Sequence, residues 1–111
     1  MKTVHFEGSS QDDLRGLPKD ARKAIGFQLE RLQLGKDPKN WKPLNGLGKG
    51  ITGVREIRVE IDTNIYRSAY VVSFGDAIVV LHCWNKKTQK TSDSDRKLIV
   101  ERYKSAKAFF S

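Results

Sequence analysis

Three β-rich runs lie almost end to end between Val54 and Trp84, and the connections between them are short enough to make hairpins. Val54 to Ile61 alternates, with Ile57, Val59 and Ile61 on one face and Glu56, Arg58 and Glu60 on the other. Asp62, Thr63 and Asn64 make a turn, Ile65 to Phe74 is the second run, Gly75 and Asp76 turn again, and Ala77 to Trp84 is the third. The third run is nearly all apolar, as in a strand covered on both faces. Strict alternation there puts Cys83 with Val79 and Leu81, and His82 with Ile78, Val80 and Trp84.

The flanks of this meander read as helices and one edge strand. Lys2 to Phe6 is short and mixed, in keeping with an edge strand. Ser9 or Ser10 caps a short helix carrying Asp12 and Asp13 in its first turn, and Gly16 to Pro18 break it. Pro18 opens a longer helix in which Ala21, Ile25, Leu29 and Leu32 share one face, and Gly35 stops it. Gly35 to Gly53 reads as a long loop, with Trp41 and Leu44 its large anchors before Leu47. Ser92 and Asp95 have capping-box spacing, and Ile99, Tyr103, Ala106 and Phe110 then form a helical stripe to the C-terminus. The whole predicts a single α+β domain over residues 1–111, ordered β-α-α-β-β-β-α, an antiparallel sheet with helices packed on one face.

Charge narrows the function classes. Lys and Arg number 21 against 13 Asp and Glu, a net charge of +8, so polyanions and acidic proteins are the expected partners. The single Cys83 excludes an internal disulfide framework and fits a reducing cytoplasm. No apolar run reaches the roughly 20 residues of a membrane span, and no signal-peptide core is present, so no membrane association is expected. His5, His82 and Cys83 are too few and too scattered for a metal site, and no cofactor is expected. Gly46 to Gly50 resembles a phosphate loop only in composition, because it leads from a helix into a strand; Lys42 and Lys49 beside it are candidate anion contacts.

The chemistry-bearing cluster is Asn85, Lys86, Lys87, Thr88, Gln89, Lys90, Thr91, with three ammonium groups within five residues interleaved with hydroxyls and amides. Arg58 and Arg67 interrupt adjacent strands, which predicts an open sheet face, since arginines are not buried without partners. A sheet with helices behind and Arg58, Arg67 and a lysine rim in front makes a polyanion groove. His82 is either a satisfied core histidine or a residue at that groove's rim. Cys83 reads as an inert core thiol.

These residues carry a resemblance. Lys42 to Leu47 (KPLNGL), Val54 to Arg58 (VREIR), Tyr66 and Arg67, Leu81 and His82, and above all Lys86 to Thr91 (KKTQKT) are similar to the phage-derived HigB branch of the RelE/ParE toxin superfamily. The likeness spans nearly the whole chain and departs from the family pattern at Trp84, where phenylalanine is usual, and at Ser92, where proline is usual. It implies a RelE-like fold and a type II toxin, a small ribonuclease that cuts mRNA, often on the ribosome, and is neutralised by a small helix-turn-helix antitoxin. The residues suit metal-free cleavage by 2′-hydroxyl attack: Arg58 and Arg67 to clamp phosphate, Lys87 to stabilise charge or exchange protons, and Glu56 as a base or as a salt-bridge partner of Arg58. Lys86 and Lys90 supply RNA contacts, with His82 at the rim; Tyr66 and Tyr70 are candidates for base stacking, packing being the alternative for at least one. There are two rival readings: a ParE-like gyrase inhibitor, which keeps the fold but drops the nuclease, and a non-catalytic RNA-binding or phage-derived regulatory module.

Overall fold

The computed structural model describes residues 1–86 and 91–110, and for Lys86 the backbone alone. Its elements are β1 (Thr3–Phe6), α1 (Ser10–Arg15), α2 (Lys19–Gln33), β2 (Trp41–Pro43), β3 (Arg55–Ile61), β4 (Asn64–Phe74), β5 (Ala77–Lys86) and α3 (Asp93–Phe110). The α+β class stands, built on a sheet of order β1-β5-β4-β3-β2. The expected meander is there, with β3 antiparallel to β4 and β4 to β5. Two pairings alter the expected layout. β1 runs parallel to β5, so the sheet is mixed; no hairpin links those two strands, and nothing local forces them antiparallel. β2 pairs antiparallel with β3 inside the expected loop, and Pro43 is tolerated because β2 is an edge.

The expectation that the helices share one face is corrected. Ala21, Ile25, Leu29 and Leu32 of α2 pack with Ile57, Tyr66, Tyr70, Ile78, Val80 and Cys83 on one side of the sheet. Ile99, Tyr103 and Ala106 of α3 pack with Val54, Ala69, Val71, Val79, Leu81 and Trp84 on the other. Strands β4 and β5 carry apolar side chains on both faces, and each face needs its own cover.

A β-bulge also revises the faces of β5. Ala69 pairs with His82 but Tyr70 pairs with Val80, which leaves Leu81 as an extra residue and inverts the alternation beyond it. Cys83 therefore joins Ile78 and Val80 on the α2 face, while His82 and Trp84 follow Leu81 onto the α3 face.

The end of α2 and the start of α3 follow their sequence signals, whereas neither serine caps α1: Ser9 Oγ accepts from Arg102 Nη2 at 2.7 Å and Ser10 Oγ donates to Val80 O at 3.0 Å. Gly35, at φ 78°, closes α2 as a Schellman cap in which the Lys36 N–H donates to Arg31 O at 2.9 Å and the Gly35 N–H to Leu32 O at 3.0 Å. At the start of α3 the Asp95 N–H donates to Ser92 Oγ at 3.2 Å, and the Ser92 hydroxyl donates to Asp95 Oδ2 at 2.6 Å. No described helix is long and apolar enough to cross a membrane.

Candidate functional site: a cationic row on the sheet

The alternation that turns Ile57 towards α2 turns Glu56, Arg58 and Glu60 to the opposite face. Register extends that face sideways: Lys42 of β2 lies opposite Glu56, Arg67 of β4 opposite Arg58, and Trp84 of β5 opposite Arg67. α3 packs over β5 and β4, so Lys42, Glu56 and Arg58 stand to its side on β2 and β3. β2 is held in place by the bond from Arg58 N–H to Asn40 O at 2.9 Å, and by the Arg55 guanidinium lying 4.3 Å from the Trp41 ring centroid.

The open face expected at the two arginines is half right. Arg67 is fully buried, and so is Glu56, the carboxylate to which its Nη1 is ion-paired. This corrects the picture of Arg67 as an exposed phosphate clamp and of Glu56 as a surface partner of Arg58. Burial pulls the Arg67 guanidinium below the usual arginine range. Glu56 Oε2, Arg67 Nε and Nη2, Arg58 Nε and Trp84 Nε1 are all buried without a hydrogen-bond partner. Arg58 is half-buried, lines a cleft of about 80 Å³ with Asn40, Glu60 and Ile65, and has no carboxylate partner among the described residues. Lys42 is also half-buried, and its ammonium is held below the usual lysine range by partial desolvation and by the charges of Arg67 and Arg58. Three cations thus face one buried carboxylate, with exposed Glu60 at the far rim. The arrangement suits an oxyanion that meets Arg58 and Lys42 from solvent, with Arg67 as buried charge behind them.

The remaining candidates divide. His82 is buried, with Nε2 2.7 Å from Asp95 Oδ1 and Nδ1 3.4 Å from Asp13 Oδ2, and its ring stacks on Trp84 at 4.8 Å. Asp13 also accepts from Arg102 Nη1 at 2.8 Å, and Arg102 donates further to Leu81 O and Ser9 Oγ. His82 is therefore the satisfied core histidine and not a groove residue, because the bulge at Leu81 aims it between α1 and α3. Tyr66 is buried in the α2-side core, where no base can stack on it. Cys83 is buried too, and desolvation pushes its thiol up to about 11 despite the Ser68 hydroxyl beside it, which leaves it unreactive. Lys86 ends β5 opposite Ile65, while Lys87 and Lys90 lie outside the described residues.

Nothing in the sequence alone puts Lys42 or Trp84 in the arginine row. Lys42 was hidden because three residues ending in proline do not read as a strand; Trp84 was hidden because its face depends on the bulge. Among the described residues no three His, Cys, Asp or Glu side chains come together as a metal site.

The chain belongs to the family described as Phage derived protein Gp49-like (DUF891), which matches residues 12–104. In fold it is similar to a chain of the crystal structure of the toxin-antitoxin complex RelBE2 from Mycobacterium tuberculosis, with a TM-score of 0.52, 23% identity, and coverage of 77% of this chain and 98% of that one. No curated protein matches the sequence.

Proposed function

We propose that this protein is the toxin of a type II toxin–antitoxin pair, of the HigB-like branch, and acts as a metal-independent endoribonuclease on mRNA in the cytoplasm, in the setting of the ribosome. The observation that carries the reading is the pairing of Lys42 and Arg58, two half-buried cations with no carboxylate partner among the described residues, in front of a buried Arg67–Glu56 pair that leaves three of its polar atoms unbonded. Burying such a pair incompletely satisfied costs stability, on the order of 1–3 kcal/mol per unmet group; a fold retains it where the charge is used. Family membership and the fold shared with a RelBE2 chain support the toxin role, and that chain's presence in a toxin–antitoxin complex supports an antitoxin partner.

In this reading Arg58 binds the scissile phosphate through its outer guanidinium nitrogens, Arg67 adds positive potential from behind, and Glu56 fixes Arg67. Lys86, Lys87 and Lys90 extend the phosphate contacts along the RNA, and the antitoxin, a small helix-turn-helix protein, covers the basic surface. RNA-end mapping in excess chelator, with and without translating ribosomes, tests it. New 2′,3′-cyclic or 3′-phosphate ends with 5′-hydroxyl partners are expected, with Arg58→Ala at least about 10²-fold slower. Folded protein that yields no ends in either setting removes the nuclease; loss of DNA supercoiling would then identify a gyrase inhibitor, and RNA binding alone a non-catalytic module.

A further inference from the structure

We propose that Lys42 is the proton donor to the departing 5′-oxygen in this site, a role that rests on the endoribonuclease reading above. Antiparallel register sets Lys42 directly opposite Glu56 and diagonal to Arg58. Diagonal neighbours lie about 7–8 Å apart at Cα, within reach of two long side chains, which is the spacing for the Lys42 ammonium and the Arg58 guanidinium to meet one phosphate. The charged groups facing Lys42 are Glu56 and Arg58 from β3 and Arg67 from β4. Glu56 is ion-paired to Arg67 through Oε1, and its Oε2 makes no hydrogen bond to Lys42, so the Lys42 ammonium is governed by partial desolvation and by the like charges of Arg67 and Arg58. An ammonium so placed gives up a proton more readily than one in water.

No other described group in the row fills this role. Guanidinium groups hold their protons too tightly to act as acids near neutral pH. His82 is engaged by Asp95 and Asp13, and Glu60 sits on the far side of Arg58, at the rim of its cleft. In the step, the 2′-oxygen loses its proton to solvent and forms its bond to phosphorus. The P–O5′ bond breaks with its electron pair going to O5′, which takes the Lys42 Nζ proton; neutral Lys42 is then reprotonated by water. The products are a 2′,3′-cyclic phosphate and a 5′-hydroxyl.

A leaving-group substitution tests this. RNA is prepared with a single 5′-bridging sulfur at the mapped cleavage site, because a thiolate departs without a proton, and it is compared with the all-oxygen RNA in the setting where wild type cuts. At saturating RNA, where a lost phosphate contact no longer limits the rate, Lys42→Ala and Lys42→Arg should slow cleavage of the all-oxygen RNA by about 10²-fold or more and cleave the sulfur RNA within a few-fold of wild type. The arginine variant retains the positive charge, so the same pattern there separates proton transfer from charge. In wild type the rate on all-oxygen RNA should also fall as pH rises through the Lys42 titration, while the sulfur RNA shows no such limb. Equal slowing on both RNAs by variants with wild-type circular dichroism would overturn the proton-donor role and leave Lys42 a binding residue, the ribonuclease reading intact. Wild type that cuts neither RNA overturns the nuclease and Lys42's role together.

Discussion

Arg67 and Glu56 concentrate the protein's main tension into two side chains, both fully buried and paired with each other, yet with Glu56 Oε2 and Arg67 Nε and Nη2 unbonded. Breaking such a pair by removing one partner typically costs about 3–5 kcal/mol, whereas replacing both with apolar residues of similar volume is often neutral or better. Glu56→Ala and Arg67→Met should each therefore lower stability on that scale in urea unfolding. The double variant Glu56→Leu/Arg67→Met should recover most of the loss, yet cleave RNA at least about 10²-fold more slowly than wild type. A stable double variant with full activity would show that the pair serves the fold alone. Cys83 gives a second residue-scale expectation. Its thiol is raised by burial from 9.0 to about 11 in the folded protein, so between those pH values the unfolded chain has lost a proton that the native chain still holds. Stability contributed by the thiol is whole below pH 9 and is lost as pH rises towards 11, up to on the order of 3 kcal/mol at about 1.4 kcal/mol per pH unit. Urea melts of wild type and Cys83→Ala across that window should converge as pH rises; a constant gap between them contradicts the buried-thiol account.

At the scale of elements, the helical stripes and the meander could be read from the sequence, because 3.6-residue and two-residue periodicities each leave a trace when one face is apolar and the other polar. Ala21, Ile25, Leu29 and Leu32 were such a stripe, and Ile57 against Glu56 and Arg58 such an alternation. β5 was not readable in this way. A strand apolar on both faces carries no alternation, so nothing marked the extra residue at Leu81 or showed that His82 would leave the Ile78 and Val80 side. The same gap concealed the clip formed by Arg102, which joins Ser9 and Asp13 of the α1 region to Leu81 of β5. Arg102 is part of α3 and nearly buried, so its removal strands Asp13 beside His82. Arg102→Ala should cost about 3–5 kcal/mol and speed hydrogen exchange in α1 and α3 ahead of β3 and β4. By contrast Ser92→Ala, which removes the α3 cap, should cost only about 1 kcal/mol. Uniform exchange throughout the protein in Arg102→Ala would mean that the clip does not act locally.

Across the whole molecule the surplus of eight positive charges does not by itself locate a binding surface, because the mixed sheet has two faces and cations occur on both. Exposed Lys19, Arg22 and Lys23 line a shallow hollow on α2, on the side of the sheet opposite the arginine row. Lys42 and Arg58 stand on the other side, and β5 ends at Lys86 opposite Ile65 of β4. If RNA follows the second face, each phosphate contact there releases counterions, and log affinity should fall with log salt by about 0.7 per contact for a single strand. Alanine at Lys42, Arg58, Lys86, Lys87 or Lys90 should then make the slope shallower by about 0.7 each. The triple Lys19→Ala/Arg22→Ala/Lys23→Ala variant carries a larger loss of net charge and should leave the slope unchanged. Fluorescence anisotropy of a labelled oligoribonucleotide titrated at several salt concentrations measures this directly. A triple variant that flattens the slope by about three contacts, with the single variants near wild type, would mean that RNA responds to total charge or to α2, and the arginine row would lose its standing as the binding face.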